Sequence, residues 1–412
     1  MAQAPAGRSA RHHRWRIAVF SLSPSKQQAL AKFAQSLVQT ASFSGMEGAL
    51  AQLLAQEMKD AGFDDVSIDD MGNVIGKVGN GQGPVLLYYT HLDTVGIGDI
   101  SAWQQDPLAG IIEGDVLYGR GAADPKGSLA SLVYGVSLLK EAKTPLKGTL
   151  YVVGGVQGEP SEGAAIRYLI EEGGLQPDWV ILGAPTGLKI NRGQRGRVQM
   201  EVTVQGKACH AATPQRGVNA INGAARIIFS LELMSSTLGD DTLLGSGTMA
   251  VTHIENIERT KNVIPDRCTF IIDRRLTLGE TEAHALAEVQ GLIAKEGVAG
   301  QVTISQFKSV NYTGKIYPQK NSYPAWVTEE KDPLIKKAGK SIQKITGYKP
   351  QLGRWDFSTA GVYTMGYAGI PTIGFGPGEE SYAHTSNERV SLKDCFTAAR
   401  VYARIAQDLL KG

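Results

Sequence analysis

Residues 149–163 read TLYVVGGVQGEPSEG. An apolar run, Leu150 to Val153, ends in paired glycines and a polar loop, and a helical pattern follows from Gly163 to Glu171. A buried strand that opens into a loop and then a helix is the repeating unit of α/β proteins. Short apolar runs at Val85 to Tyr89 and Trp179 to Leu182, with a helical pattern at Gly127 to Glu141, repeat the alternation and predict an α/β layer architecture. Two helices are expected ahead of it, over Gln27 to Thr40 and Met46 to Ala61, and another over Leu392 to Leu410.

The pattern changes after residue 195. RVQMEVTVQGKA (197–208) alternates like a half-exposed strand, and a helical stretch runs from Val218 to Leu238. Strands are expected at Thr248 to Ile254 and Thr269 to Arg274, then a helix over Thr281 to Glu296 and a strand at QVTISQF. Strand-helix-strand-strand-helix-strand predicts a separate α+β domain of ferredoxin-like type. The expected organisation is therefore one domain inserted into another: 26–195 and 311–412 form the larger body, 196–310 the insert, and 1–25 a disordered or tag-like lead-in.

The chain has 412 residues, with 42 basic and 40 acidic side chains and a formal charge of +2. No general field draws it to nucleic acid or anionic lipid, so a small-molecule partner is expected. The basic N-terminal cluster precedes an apolar piece, Ile17 to Leu22, shorter than the ~7 to 15 residues of a secretion-signal core. No segment reaches the ~18 continuous apolar residues of a membrane span. Cys209, Cys268 and Cys395 lie far apart without a CxxC spacing, which fits a reducing, cytoplasmic setting.

In LLYYTHLDTV, His91 follows a buried strand and Asp93 comes two residues later. Strand ends are where open α/β sheets collect their functional groups. The pair is either a metal ligand with its orienting carboxylate or a hydrogen-bonded turn. In LYGRGAADPKGSLASLVYG, three glycines let a loop bend around Asp124 ahead of a helix, so Asp124 either aims into the sheet crevice or caps that helix.

HLDTV, GRGAADPKG, GKACHAATPQRGVNAI, NVIPDRCTFIIDRR and AHTSNERV occur in an order and spacing that resembles the dinuclear zinc aminoacylase, acetylornithine deacetylase, succinyl-diaminopimelate desuccinylase and carboxypeptidase G family. The likeness covers nearly the whole chain from about Ala29. It implies a zinc-exopeptidase-like mixed sheet flanked by helices, with the insert acting as lid and dimerisation module. By the same resemblance His91 is a ligand of one zinc, Asp124 bridges both zincs, and Glu159 and His384 complete the other. Asp93 supports His91, and His210 reaches a neighbouring subunit's site in a homodimer; in a monomer it would be a surface histidine. Asn262 and Arg274 resemble lid positions that hold a substrate carboxylate, though Arg274 reads equally as a strand-end charge. Such ligands suit zinc, with cobalt or manganese as substitutes.

Three positions depart from the family pattern. The loop after Val153 normally carries two adjacent glutamates, a general base and a ligand, where this chain has Gly158-Glu159. An acidic ligand normally precedes Pro-Thr, where this chain has Ala184, and a polar residue is common at Ala360. One firmly bound metal, on Asp124, Glu159 and His384, and a weak or empty second site are therefore expected. Glu162 is the one nearby carboxylate that could stand in as base. Three functions follow: a hydrolase of amide or peptide bonds in small acylated or peptide-like substrates, a single-metal non-hydrolytic enzyme (lyase, cyclase or amide-forming), or a catalytically silent protein that binds a small carboxylated ligand.

Overall fold

Val85–His91 is the strand around which the larger sheet is built, and its Leu86, Leu87, Tyr88 and Tyr89 are all buried, as a run covered on both faces requires. In the computed structural model, which describes residues 20–79, 81–143, 145–256 and 260–411, it pairs in parallel with Thr149–Gly155 and with Trp179–Leu182. Thr372–Gly374 continues the parallel set. Val74–Val78 and Asp65–Ile68 extend one side in antiparallel fashion. Ile190–Gln194, flanked by Trp326–Val327 and Leu352–Trp355, extends the other. The result is the expected mixed sheet, nine strands wide among the described residues.

Gly127–Glu141 and Leu392–Leu410 run where the sequence pattern placed them, and both are largely buried. Their close approach depends on Gly135, where a Cβ would stand 3.0 Å from Ala399 O and from Tyr402 Cβ. Tyr88 of the central strand donates its hydroxyl to Tyr402 O at 2.7 Å, fixing helix to sheet.

The insert has its own core, with Val198, Met200, Phe270 and Ile272 beneath Ala224 and Val289 of two helices, Ala220–Ser235 and Glu282–Lys295. Its antiparallel strands run in the order Thr248–Asn256, Arg267–Leu276, Gly196–Gln205, Gly300–Ile304, the ferredoxin-like arrangement the pattern predicted.

Two expected boundaries move. Residues 1–19 lie outside the described residues, but Phe20 and Leu22 are buried in the main core and helix Pro24–Gln39 starts before residue 26, so the lead-in is shorter than 1–25. Ser322–Tyr323 pairs with Gly196–Gln205, and Gln306–Phe307 pairs with Gln319–Lys320. The return from the insert is therefore a drawn-out hairpin rather than a crossing at 310.

Because the central strands are parallel, their C-terminal ends face one crevice. His91 ends one strand, Gly158 and Glu159 follow the second, and Ala184 follows the third.

Candidate active site

His91 Nδ1 lies 2.9 Å from the Asp93 carbonyl oxygen and 3.4 Å from Asp93 Oδ1. With a carbonyl as acceptor, Nδ1 carries a proton, which leaves Nε2 as the nitrogen that would ligate a metal. That Nε2 is 3.3 Å from Asp124 Oδ1, while Asp124 Oδ2 is 3.7 Å from His384 Nε2. His384 Nε2 is also 3.1 Å from Glu159 Oε1. One carboxylate thus turns an oxygen to each of two histidines, the geometry of a bridging ligand. Ligand atoms of His91, Asp124 and Glu159 also lie within 4.8 Å of one another, so His91 belongs to the same cluster as Glu159 rather than to a separate, remote position.

The donor set fits a divalent metal ion: two imidazoles and two carboxylates, with histidines as the only cationic partners of those carboxylates among the described residues. Burial works against an imidazolium at His91, yet hydrogen bonds with Asp124 and Asp93 outweigh it and hold the pKa well above the ordinary histidine value. The hydrogen bond with Glu159 raises the His384 pKa in the same direction, against burial. The carboxylates that stabilise these imidazolium forms would attract a metal ion by the same charge, the ion displacing the histidine proton.

The Asp124 loop is held from behind by Glu388. The amides of Gly121, Ala123 and Asp124 each donate to its carboxylate at 3.0 Å, and Arg120 Nη1 donates at 2.7 Å. Gly121 is required at its turn, with φ +85° and Thr94 Cγ2 only 2.7 Å from any added Cβ. Glu159's loop is held in the same manner by two other carboxylates: Gln157 N donates to Glu47 Oε1 (2.9 Å), Gly158 N to Asp93 Oδ1 (2.7 Å) and Glu159 N to Asp93 Oδ2 (3.1 Å). Ser44 Oγ adds a bond to Asp93 Oδ2 at 2.6 Å.

Gly158 and Ala184 both face this site. A Cβ at Gly158 would stand 2.5 Å from His91 Cβ and 2.8 Å from His91 Cγ, so with His91 in this position residue 158 admits no side chain. Ala184 places a methyl group, and no ligand, on the wall of the cavity.

That cavity, about 360 Å³, lies between the larger domain and the lid. Its lid side carries Arg197 and Arg275, which sit opposite each other on neighbouring strands. Asp273 joins them, accepting from Arg197 Nε and from Arg275 Nε at 2.7 Å each. Arg197 Nη1 crosses to Glu162 Oε1 of the larger domain at 3.2 Å.

The structure corrects one expected substrate contact. Arg274 is fully buried on the core side of its strand, bonded to Glu280 Oε1 (2.5 Å) and to Arg275 O (2.5 Å), and cannot meet a substrate carboxylate. Its neighbour Arg275 lines the cavity instead. His210 and Asn262 are brought together on the lid, with Ala211 N donating to Asn262 O at 2.9 Å, but both are exposed and neither lines the cavity of its own chain. Arg197, Arg275, Glu47 and Glu388 were not singled out from the sequence; Glu388 lies in AHTSNERV, four residues past His384.

Sequence comparison matches residues 87–408 to the model of peptidase family M20/M25/M40. The uncharacterized protein YgeY of Escherichia coli K12 is 38% identical over 379 residues, 92% of this chain and 94% of its own. Among solved structures, aminopeptidase PepT of Bacillus cereus superposes with a TM-score of 0.71 at 22% identity, covering 93% of this chain and 99% of PepT. The di-peptidase Dug1p of Saccharomyces cerevisiae gives 0.73 at 15% identity, covering 96% and 98%. These low identities speak for the fold, and the mixed sheet with its lid is that fold. The family match over most of the chain, together with the YgeY relationship, places this protein in peptidase family M20/M25/M40, a family of metallohydrolases.

Proposed function

We propose that this chain holds one divalent metal ion, zinc for preference and cobalt or manganese as substitutes, and acts on an amide or peptide bond of a small carboxylated substrate without the usual water-activating glutamate. The observation that carries this reading is Gly158, whose side-chain space is occupied by His91. Asp124 and Glu159 would hold the ion with His91 and His384 on either side. A bound ion supplies Lewis acidity at a substrate carbonyl. The protein's own groups do the rest: Asp93 fixes the His91 tautomer, Arg275 and Arg197 offer cations to the substrate carboxylate, and the cavity encloses an amino-acid-sized group. Glu162 does not replace the missing base in this arrangement, because Arg197 pins one oxygen against the lid wall.

General-base assistance contributes ~10²- to 10⁴-fold, so hydrolysis should run at least ~10²-fold below the ordinary ~1 to 10³ per second. The test is metal content after chelator-free purification, with turnover on a panel of N-acyl amino acids and dipeptides. About one ion per chain and slow turnover are expected. Two firmly held ions, or ordinary turnover, would overturn the proposal, and a metal-free protein would point to a silent ligand-binder.

A homodimer through the lid belongs to the same reading. Among the described residues, Thr248–Asn256 is an edge strand with its outer side unpaired and most residues exposed. Beside it, Ile221, Phe229 and Leu233 repeat at helical spacing on Ala220–Ser235 and are 38%, 60% and 59% exposed. Pairing this surface with its copy would cover both, and His210 and Asn262 would then be available to a partner's cavity. Light scattering at micromolar concentration should give a dimer, and Phe229→Asp with Leu233→Asp a monomer. A monomeric parent would remove any role for His210 in the site.

A further inference from the structure

Glu162 is a carboxylate in the cavity wall that the metal donors leave unused. It lies three residues beyond Glu159, and its side chain is only 11% exposed. Oε1 accepts from Arg197 Nη1, but Oε2 is buried and has no hydrogen-bond partner. Its other polar neighbours are Tyr323 and Gln319. The Tyr323 hydroxyl beside it bonds to Asn321 Oδ1 at 3.4 Å, and the Gln319 amide donates to the backbone carbonyl of Glu162 at 2.8 Å. Burial pushes the Glu162 carboxyl upward, with Arg197 acting in the opposite direction, so a second cation at Oε2 would relieve a real deficit. A buried acceptor left without a donor is costly, and in a ligand cavity the donor can be supplied by the ligand. Across the same wall Asp273 engages Nε and Nη2 of Arg275, one edge of the guanidinium, and Arg275 lines the cavity. The wall therefore offers an anion acceptor and a cation acceptor side by side.

We propose that Glu162 is a specificity-determining residue: its Oε2 accepts from the free ammonium group of the substrate while Arg275 takes the carboxylate, so that the site selects an unblocked dipeptide over its N-acylated counterpart. This rests on the cavity being the substrate site. It separates the two halves of the substrate class, since an N-acyl amino acid presents no cation to Glu162.

Calorimetric binding of Gly-Leu and of N-acetyl-Gly-Leu to the full chain, purified with its own metal, tests it without requiring turnover. The parent protein should bind Gly-Leu at least tenfold more tightly. That preference should shrink as the pH rises through the α-amino pKa of about 8, where the ammonium loses its proton. Glu162→Gln should bring the two affinities together, and Glu162→Asp, which keeps the charge, should recover part of the difference; the pH profile of the parent decides the matter if either variant folds poorly. Equal affinity for the two peptides, or tighter binding of the acetylated one, overturns the role of Glu162 and leaves the cavity reading standing. Binding of neither overturns both.

Discussion

The two loops that carry the clustered carboxylates Asp124 and Glu159 are braced alike and furnished differently. Behind Asp124, three loop amides and an arginine converge on Glu388. Behind Glu159, three amides converge on Glu47 and Asp93. In each loop, buried carboxylates take the backbone donors that would otherwise be lost, and the ligand is aimed by its own main chain. Yet Gly158, beside Glu159, carries no side chain, and His91 fills the space that one would take.

The comparison is broken most directly at Glu388. Burial pushes its carboxyl upward, but four N–H donors surround it with no acceptor, so the anion is the form its neighbours serve. Glu388→Gln would turn an amide NH2 toward those donors and leave Arg120 partly unpaired. A loss of about 3–5 kcal/mol in denaturant unfolding is expected, as for a broken buried ion pair, with metal binding weakened too. A loss under about 1 kcal/mol would show that the Asp124 loop holds its shape without this anchor.

A second pair of substitutions should act in opposite directions on the metal. Gly158→Ala must displace His91, since the new methyl carbon would fall 2.5 Å from its Cβ, and affinity for zinc should drop on the order of 10- to 100-fold. Ala184→Glu instead adds a carboxylate to the cavity wall near His91, and bound metal should rise toward about two ions per chain. Competition with a chromophoric chelator measures the first and elemental analysis the second. Unchanged affinity in Gly158→Ala would mean that His91 moves freely and is not what keeps residue 158 bare.

Much of this was legible in the sequence. Helices Gly127–Glu141 and Leu392–Leu410 and strand Trp179–Leu182 follow from periodicity alone, because each is long or apolar enough to declare itself. Asp65–Ile68 and Ile190–Gln194 do not, since short polar strands such as INRGQ gain their place from neighbours rather than from composition. The error at Arg274 was avoidable. In Arg267–Leu276, Cys268, Phe270 and Ile272 mark the core face, and two-residue alternation puts Arg274 on that face and Arg275 on the other. The conflict between residue 158 and His91, by contrast, depends on the distance between two parallel strand ends, which no local pattern encodes.

Glu47 should give the smallest effect and the finest test of how alike the two braces are. It is fully buried, accepts a bond from the loop at Oε1, from Gln157 N, and has its second oxygen unpartnered. Burial first and the charge of Asp93 second push its pKa up, which shifts the balance toward the neutral acid, for which glutamine is a close substitute. Glu47→Gln should therefore change stability by less than about 1 kcal/mol near pH 5. A carboxyl whose folded pKa is raised contributes most below its unfolded value, near 4.3, and loses that contribution as the pH climbs through the folded value. The parent should thus lose ground to the variant as the pH rises above the unfolded value, about 4.3, both proteins being kept metal-free by chelation so that ligand titration is common to them. Urea unfolding across that range measures it. If the variant instead falls behind as the pH rises, the ionised Glu47 is a favourable anchor like Glu388, and the two loops are braced by the same electrostatics after all.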